Sequence, residues 1–213
     1  MKKNNYGGYF IVFEGLDGSG QSTQMGLLAD FLLSQGYSIH ITKEPTNNIV
    51  GGIIRGQLSK DWTASMECLQ LLFAADRAHH LEKEIIPALK RKMIVLCDRY
   101  IFSGIAFGSI KSDKKWLIEL NKNFILPDLT ILLDVSASEC IRRMKEVRLD
   151  LELFEEKKKL EKVLKNYRSL SKNFNNVIVI NGKRRINQVS GEIREIVKRK
   201  LASKGITKKS KLV

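Results

Sequence analysis

The sequence has no apolar run approaching the ~20 residues that a membrane-spanning helix needs, so no membrane partner is expected. It has no leader-like stretch either: Met1-Lys2-Lys3-Asn4-Asn5 runs directly into an apolar, strand-like segment. Cysteine is scarce. Cys68, Cys97 and Cys140 are scattered, odd in number and form no C-x-x-C pair. Cys97, set in an apolar run, reads as a buried thiol rather than a ligand or nucleophile, and the chain reads as cytoplasmic. Internal repeats and low-complexity linkers are missing, as are helix-turn-helix, zinc and aromatic-rich nucleic-acid motifs. With 213 residues the chain fits one domain with at most a small appendage. A chain of this length buries roughly 70% of its unfolded surface and needs no staples.

Acidic residues are outnumbered, and the net charge is +14. Much of the excess lies in residues 157–172 and 198–211. Three readings are open: solvated helix faces with a basic tail, attraction of anionic substrates by the summed field, or nucleic-acid binding. No motif supports the third, so nucleic acid is not an expected partner. Residues 203–213 read as a basic flexible tail.

Short apolar runs at 9–14, 38–42, 93–97, 129–135 and 176–180 read as buried parallel strands. Amphipathic segments lie between them. Leu160, Val163, Leu164, Tyr167 and Leu170 recur at helical spacing, as do Ile186, Val189, Ile193, Ile196 and Val197. This alternation predicts an α/β fold with a parallel sheet covered on both faces. Ligands of such sheets bind at the carboxyl ends of the strands, so the polar residues after each strand carry the functional question.

One missing side chain matters most. Gly15-Leu16-Asp17-Gly18-Ser19-Gly20-Gln21-Ser22-Thr23 follows the G-x-x-x-x-G-K-[ST] pattern except that Gln21 stands where lysine is required. A strand precedes it and residues 24–35 read as a helix, the context that the motif needs. The glycines let backbone N–H groups curl around a phosphate, and the helix N-terminus adds partial positive charge. Gln21 can donate a hydrogen bond but brings no charge. Losing one cation there costs roughly 10²–10⁴ in phosphoryl-transfer rate. A downstream arginine or Lys43 is the candidate to compensate.

Two further constellations belong with this loop. Residues 93–97 form an apolar strand closed by Asp98-Arg99-Tyr100. An acid there can hold Mg²⁺, often through water, with Ser22 giving a hydroxyl to the same ion. Arg99 offers a rigid fork to a second phosphate, where the bland alternative is a surface Asp–Arg pair. Residues 71–80 read as helix, with Phe73 and Arg77 four apart on one face. An aromatic face beside a guanidinium suits a nucleobase, where the bland alternative is a core Phe and a surface Arg. His79 and His80 point about 100° apart on a helix, poor geometry for a shared metal.

As a set, these segments resemble the thymidylate kinase family of P-loop nucleoside monophosphate kinases, over roughly residues 9–200. The resemblance rests on the loop Phe13 to Thr23 and Gln24, on Glu44-Pro45 with Gly51 and Arg55, and on Leu72-Phe73-Ala74-Ala75-Asp76-Arg77. It continues in Asp98-Arg99-Tyr100, Ser103-Gly104-Ile105-Ala106-Phe107, Pro127-Asp128-Leu129-Thr130 and Leu133-Asp134-Val135. It implies a three-layer α/β/α P-loop NTPase fold with a five-stranded parallel sheet, a kinase domain over 1–202 and a short lid near 142–152. It implies transfer of the γ-phosphoryl of ATP to dTMP, with Mg²⁺, by a homodimer to which the helix at 66–81 contributes.

The resemblance also carries roles. Gly15 through Thr23 would hold ATP. Asp17 would contact the acceptor near its 3′-hydroxyl and phosphate, Arg99 would hold the acceptor phosphate, and Arg55 would assist. Pro45 belongs with the acceptor-binding residues. Phe73 would stack on the base and Arg77 would bond thymine O4. Ser103 and Gly104 would face the base near N3, and Phe107 would wall the sugar against a 2′-hydroxyl. Ser22 and Asp98 would serve the metal. Among the lid arginines, Arg148 and then Arg143 are the candidates to join Asp17, Gln21 and Arg99 in the catalytic set. The run Ser103 to Phe107 is similar to eukaryotic members, whereas Glu44-Pro45 with Gly51 and Arg55 is similar to bacterial ones. Two alternatives stay open because of Gln21: a nucleotide-binding member with weak or lost kinase activity, or an altered acceptor.

Overall fold

A computed structural model describes residues 1–145 and 153–206. Five strands form one parallel sheet: β1 (Tyr9–Gly15), β2 (Ile39–Lys43), β3 (Ile94–Asp98), β4 (Leu129–Asp134) and β5 (Val177–Asn181). Their order across the sheet is β2-β3-β1-β4-β5. Each strand lies within one residue of the apolar run that predicts it. β1, at the centre, is buried along its whole length, which is why its sequence is a continuous apolar run rather than an alternation.

Nine α-helices are described. They are α1 (Gln21–Ser34), α2 (Ile49–Leu58), α3 (Met66–His80), α4 (Ile86–Lys90), α5 (Ile101–Gly108), α6 (Lys114–Leu120), α7 (Ala137–Lys145), α8 (Leu153–Ser171) and α9 (Ile186–Ser203). A π-helical turn, Leu81–Ile85, joins α3 to α4. Successive strand residues point to opposite faces and build two cores. Phe10, Val12, Val95, Cys97 and Leu132 face a core completed by α5 and α8. Tyr9, Ile11, Phe13, Ile94, Leu96 and Ile131 face a second core beneath α1 and α9. The result is the three-layer α/β/α arrangement.

Helix α1 starts three residues earlier than the periodicity predicts. Gly20, with φ 96°, caps it and lets the chain enter the helix directly from the loop. Gln21, Ser22 and Thr23 therefore form the first turn, whose N–H groups have no partner within the helix. The β1 register pairs Phe13 with Asp98, and β2 pairs Lys43 with Asp98. Gly15, Lys43, Asp98, Asp134 and Asn181 thus end at the same edge of the sheet.

Residues 146–152 and 207–213 lie outside the described residues, so Arg148, most of the expected lid and most of the expected tail fall there.

Candidate active site

Two cavities open at that edge. The smaller, about 240 Å³, is lined by Asp17, Gly18, Gly20, Gln21, Ser22, Thr23, Asp98 and Arg99. Its walls are the phosphate loop and the end of β3. Gly18 has φ 78°, and a Cβ there would lie 2.7 Å from the Cys140 carbonyl oxygen, so α7 packs directly on the loop. Ser22 Oγ donates to Asp98 Oδ2 at 2.6 Å. A hydroxyl and a carboxylate side by side at a phosphate loop are hard oxygen donors of the kind that suits Mg²⁺.

The larger cavity, about 340 Å³, is mostly apolar and is built by α3 and α5. Phe73, Leu69, Met66 and Leu58 face Gly104 and Phe107 across it, with Arg77, Arg99, Asp17, Pro45 and Ser103 among the polar and turn residues at its wall. Arg77 is fully buried, and its geometry is set by Glu44. Its Nε and Nη2 donate to Glu44 Oε2 at 3.0 and 2.7 Å, and Nη1 donates to Asn121 Oδ1 at 2.6 Å. His80 Nδ1 lies 3.1 Å from the other Glu44 oxygen. Asp76, one residue before Arg77, accepts from Thr46 N and Oγ1 at 2.9 and 2.6 Å. Helix α3 thereby clamps the loop Glu44-Pro45-Thr46, whose Glu44–Pro45 peptide is cis.

Arg99 belongs to both cavities. Its φ of 69° is unusual for a residue with a side chain, and its N–H donates to Phe13 O at 2.9 Å. Nη1 donates to Gly15 O and Ser103 Oγ, both at 3.1 Å. Nη2 donates to Asp17 Oδ1 at 2.7 Å and to Gln21 Oε1 at 3.1 Å. Burial works against its charge, but Asp17 and its other anionic neighbours more than offset this and hold the guanidinium protonated. The Phe107 ring lies 5.5 Å from the guanidinium carbon.

Gln21 is buried, and Ser19 Oγ also donates to its Oε1 at 3.4 Å. Among the described residues its buried Nε2 has no partner, leaving both amide hydrogens uncommitted at the phosphate cavity. A glutamine here does something a lysine cannot. It offers an oxygen to Arg99, so the guanidinium leans over the phosphate loop.

Beneath Arg99 lies a buried carboxylate. Glu14 Oε1 accepts from Tyr100 N and Ser103 N at 3.1 and 3.2 Å, holding the first turn of α5. Glu14 Oε2 accepts from Ser103 Oγ at 2.5 Å and Tyr167 Oη at 3.1 Å. Burial pushes the Glu14 carboxyl above the usual range, with the Ser103 bond and the Arg99 charge partly opposing.

Other expected site residues lie apart from these cavities. Arg55, exposed on α2, donates to the Thr46 carbonyl and lines neither. Lys43 is exposed beside Asp98 and lines neither. Arg143, on α7, donates to Glu139 Oε1 at 2.8 Å, Gly182 O at 3.0 Å and Ser19 O at 3.4 Å, so it bridges the phosphate loop to the turn after β5. His79 is exposed against Asn48 and His80 is buried on Glu44. Among the described residues no cluster of three or more His, Cys, Asp or Glu side chains is placed to hold a metal. The sequence reading missed Gln70 and Lys159 in the wall of the larger cavity, and Glu14 and Tyr167 below it. Tyr167 fell within an apolar stripe, which hides the hydroxyl at its end.

A phosphate loop on one cavity and an aromatic, arginine-walled cleft beside it define a P-loop phosphotransferase that seats two ligands side by side, as a nucleoside monophosphate kinase does. The family model described as "Thymidylate kinase" matches residues 13–193. The chain is 40% identical over 201 residues to a probable thymidylate kinase of Pyrococcus horikoshii, covering 91% of this chain and 98% of that one. It is 39% identical to a probable thymidylate kinase of Pyrococcus abyssi with the same coverage. A probable thymidylate kinase of Methanocaldococcus jannaschii is 37% identical over 185 residues, with 86% and 93% covered. The chain belongs to the thymidylate kinase family.

Proposed function

We propose that this chain transfers the γ-phosphoryl group of ATP to dTMP, giving dTDP and ADP. The observation that carries this reading is the position of Arg99 and Asp17 in the shared wall of an apolar base-sized cleft and a phosphate-loop cavity. Phosphoryl transfer needs the attacking and leaving oxygens in line, with charge neutralised between them. Arg99 stands where the two nucleotides' phosphates would meet.

In this reading the backbone of Gly15 to Thr23 cradles the phosphates of ATP. Asp17 and Arg99 orient the acceptor phosphate, Phe73 stacks on the base, Arg77 donates to O4, and Phe107 closes the sugar side. Arg55 assists from α2 after a side-chain movement. Arg143 serves the donor side, and Arg148 remains the other candidate there. Ser22 and Asp98 would hold Mg²⁺, which supplies charge neutralisation at the β- and γ-phosphates when bound. The alternative of a nucleotide binder without turnover is not favoured, because Arg99 brings a cation to the cavity where Gln21 brings none. We place a homodimer contact on α2 and α3, whose Ile49, Leu58 and Leu71 are exposed. We place the protein in the cytoplasm, in keeping with three free thiols; among the described residues no helix is long and apolar enough to cross a membrane.

The test is ADP release with Mg-ATP and each of dTMP, dUMP, UMP, dCMP, dGMP and AMP. Turnover with dTMP well above the rest is the expected result. Turnover with another acceptor, or none at all, overturns the reading.

A further inference from the structure

Ser103 is the side chain that the family resemblance puts near N3 of the base, but its hydroxyl already has protein partners. It donates to Glu14 Oε2 at 2.5 Å, lies 2.8 Å from Tyr167 Oη, and accepts from Arg99 Nη1 at 3.1 Å. Ser103 and Tyr167 each give their one hydrogen to Glu14, and Arg99 takes a lone pair of Ser103, so protein groups set the orientation of the Ser103 hydroxyl. A second acceptor, with no protein donor on it among the described residues, stands deeper in the cleft.

That acceptor belongs to Gln70. It sits one turn before Phe73 and two turns before Arg77, on the same face of α3. It is 4% exposed and lines the cleft. Its Nε2 donates to the Met66 sulfur at 3.6 Å, and among the described residues its Oε1 has no hydrogen-bond partner. Oε1 lies 3.5 Å from the point where a Cβ on Gly104 would stand, and Arg77 Nη1 and Nη2 lie 3.9 Å from the same point. The absent side chain of Gly104 thus leaves a small space with an acceptor and a donor at its rim.

Thymine and uracil present O4, an acceptor, next to N3–H, a donor. Cytosine presents the reverse, an amino donor next to an unprotonated N3. Arg77 can only donate, and Glu44 and Asn121 fix its orientation. We propose that Gln70 reads the base: its Oε1 accepts from N3–H while Arg77 donates to O4. The pair matches thymine and uracil and leaves cytosine with a donor against a donor. This inference rests on the reading of the cleft as a dTMP site.

The experiment compares kcat/KM for dTMP with that for N3-methyl-dTMP, which lacks the hydrogen, in the wild type and in Gln70→Met, a substitution of similar volume. The wild type is expected to prefer dTMP strongly. In Gln70→Met the ratio should fall at least about tenfold, because no buried acceptor is left unpaired by the methylated base. An unchanged ratio with dTMP still turned over overturns this inference alone. A wild type that neither turns over nor binds dTMP overturns the functional reading and this inference with it. A second measurement does not depend on the variant folding. In the wild-type complex with ¹⁵N-labelled dTMP, the N3 imino proton should be protected from exchange and show an NOE to the Gln70 γ-methylene. A rapidly exchanging imino proton overturns the proposal.

Discussion

Arg99 donates from Nη2 to Gln21 Oε1 at 3.1 Å, so the residue that breaks the phosphate-loop pattern also holds a cation over that loop. A lysine at position 21 would present only N–H donors to a guanidinium. The substitution and the arginine's position are therefore parts of one arrangement.

Gln21→Lys should accordingly change kcat by less than about tenfold, because the added charge and the displaced Arg99 offset each other. Steady-state kinetics with Mg-ATP and dTMP checks this. A gain of 10² or more would mean that Gln21 is a simple handicap.

Arg99→Ala should lower kcat/KM by roughly 10²–10⁴, since one side chain leaves both cavities. The KM for dTMP should rise in the same series. An unchanged KM would remove Arg99 from the acceptor site.

Asp98→Asn keeps an acceptor for Ser22 but removes the negative charge beside it. The Mg²⁺ concentration for half-maximal rate should rise about 10- to 100-fold, as for loss of an outer-shell metal partner. Chelation of Mg²⁺ should abolish turnover and re-addition should restore it. Equal metal dependence in variant and wild type would separate Asp98 from the ion.

Arg77→Met should destabilise the fold by about 3–5 kcal/mol, because Glu44 is left buried without its partner. Urea unfolding midpoints measure this directly. A loss below ~1 kcal/mol would mean that the Glu44 charge finds another partner.

Glu14 sets a pH dependence of stability. Its carboxyl titrates above its ordinary range in the folded chain, so between the unfolded and folded values the native state holds a proton that the unfolded chain has lost. Stability then falls as pH rises through that window, by at most about 1.4 kcal/mol per pH unit for this one group. Glu14→Gln cannot ionise. The melting temperature of the variant relative to wild type should therefore climb as pH rises above about 4.5. A flat difference would show that Glu14 titrates normally.

The strands and the phosphate loop were legible because each is a local signal. β1, β3 and β4 are buried on both faces, so their apolar runs are continuous. Phe73 and Arg77 were legible as a pair through helical spacing, but the fate of Arg77 was not. That depends on Glu44, 33 residues away, which no periodicity connects to it. The partners of Ser103 were hidden for the same reason: its hydroxyl meets Glu14 and Tyr167, which come from β1 and α8. Gln70 read as an ordinary helix residue, since only the fold places its carboxamide opposite Gly104. The start of α1 was misplaced because Gly20 and the loop chemistry, rather than an apolar stripe, begin it.

A wall common to two cavities has a thermodynamic consequence. Arg99 and Asp17, bonded to each other at 2.7 Å, stand in both walls, so a nucleotide that shifts either side chain alters the other nucleotide's site. Donor and acceptor affinities are then reciprocally linked: whatever factor dTMP adds to ATP binding, ATP adds to dTMP binding. The same reciprocity governs the two products after transfer.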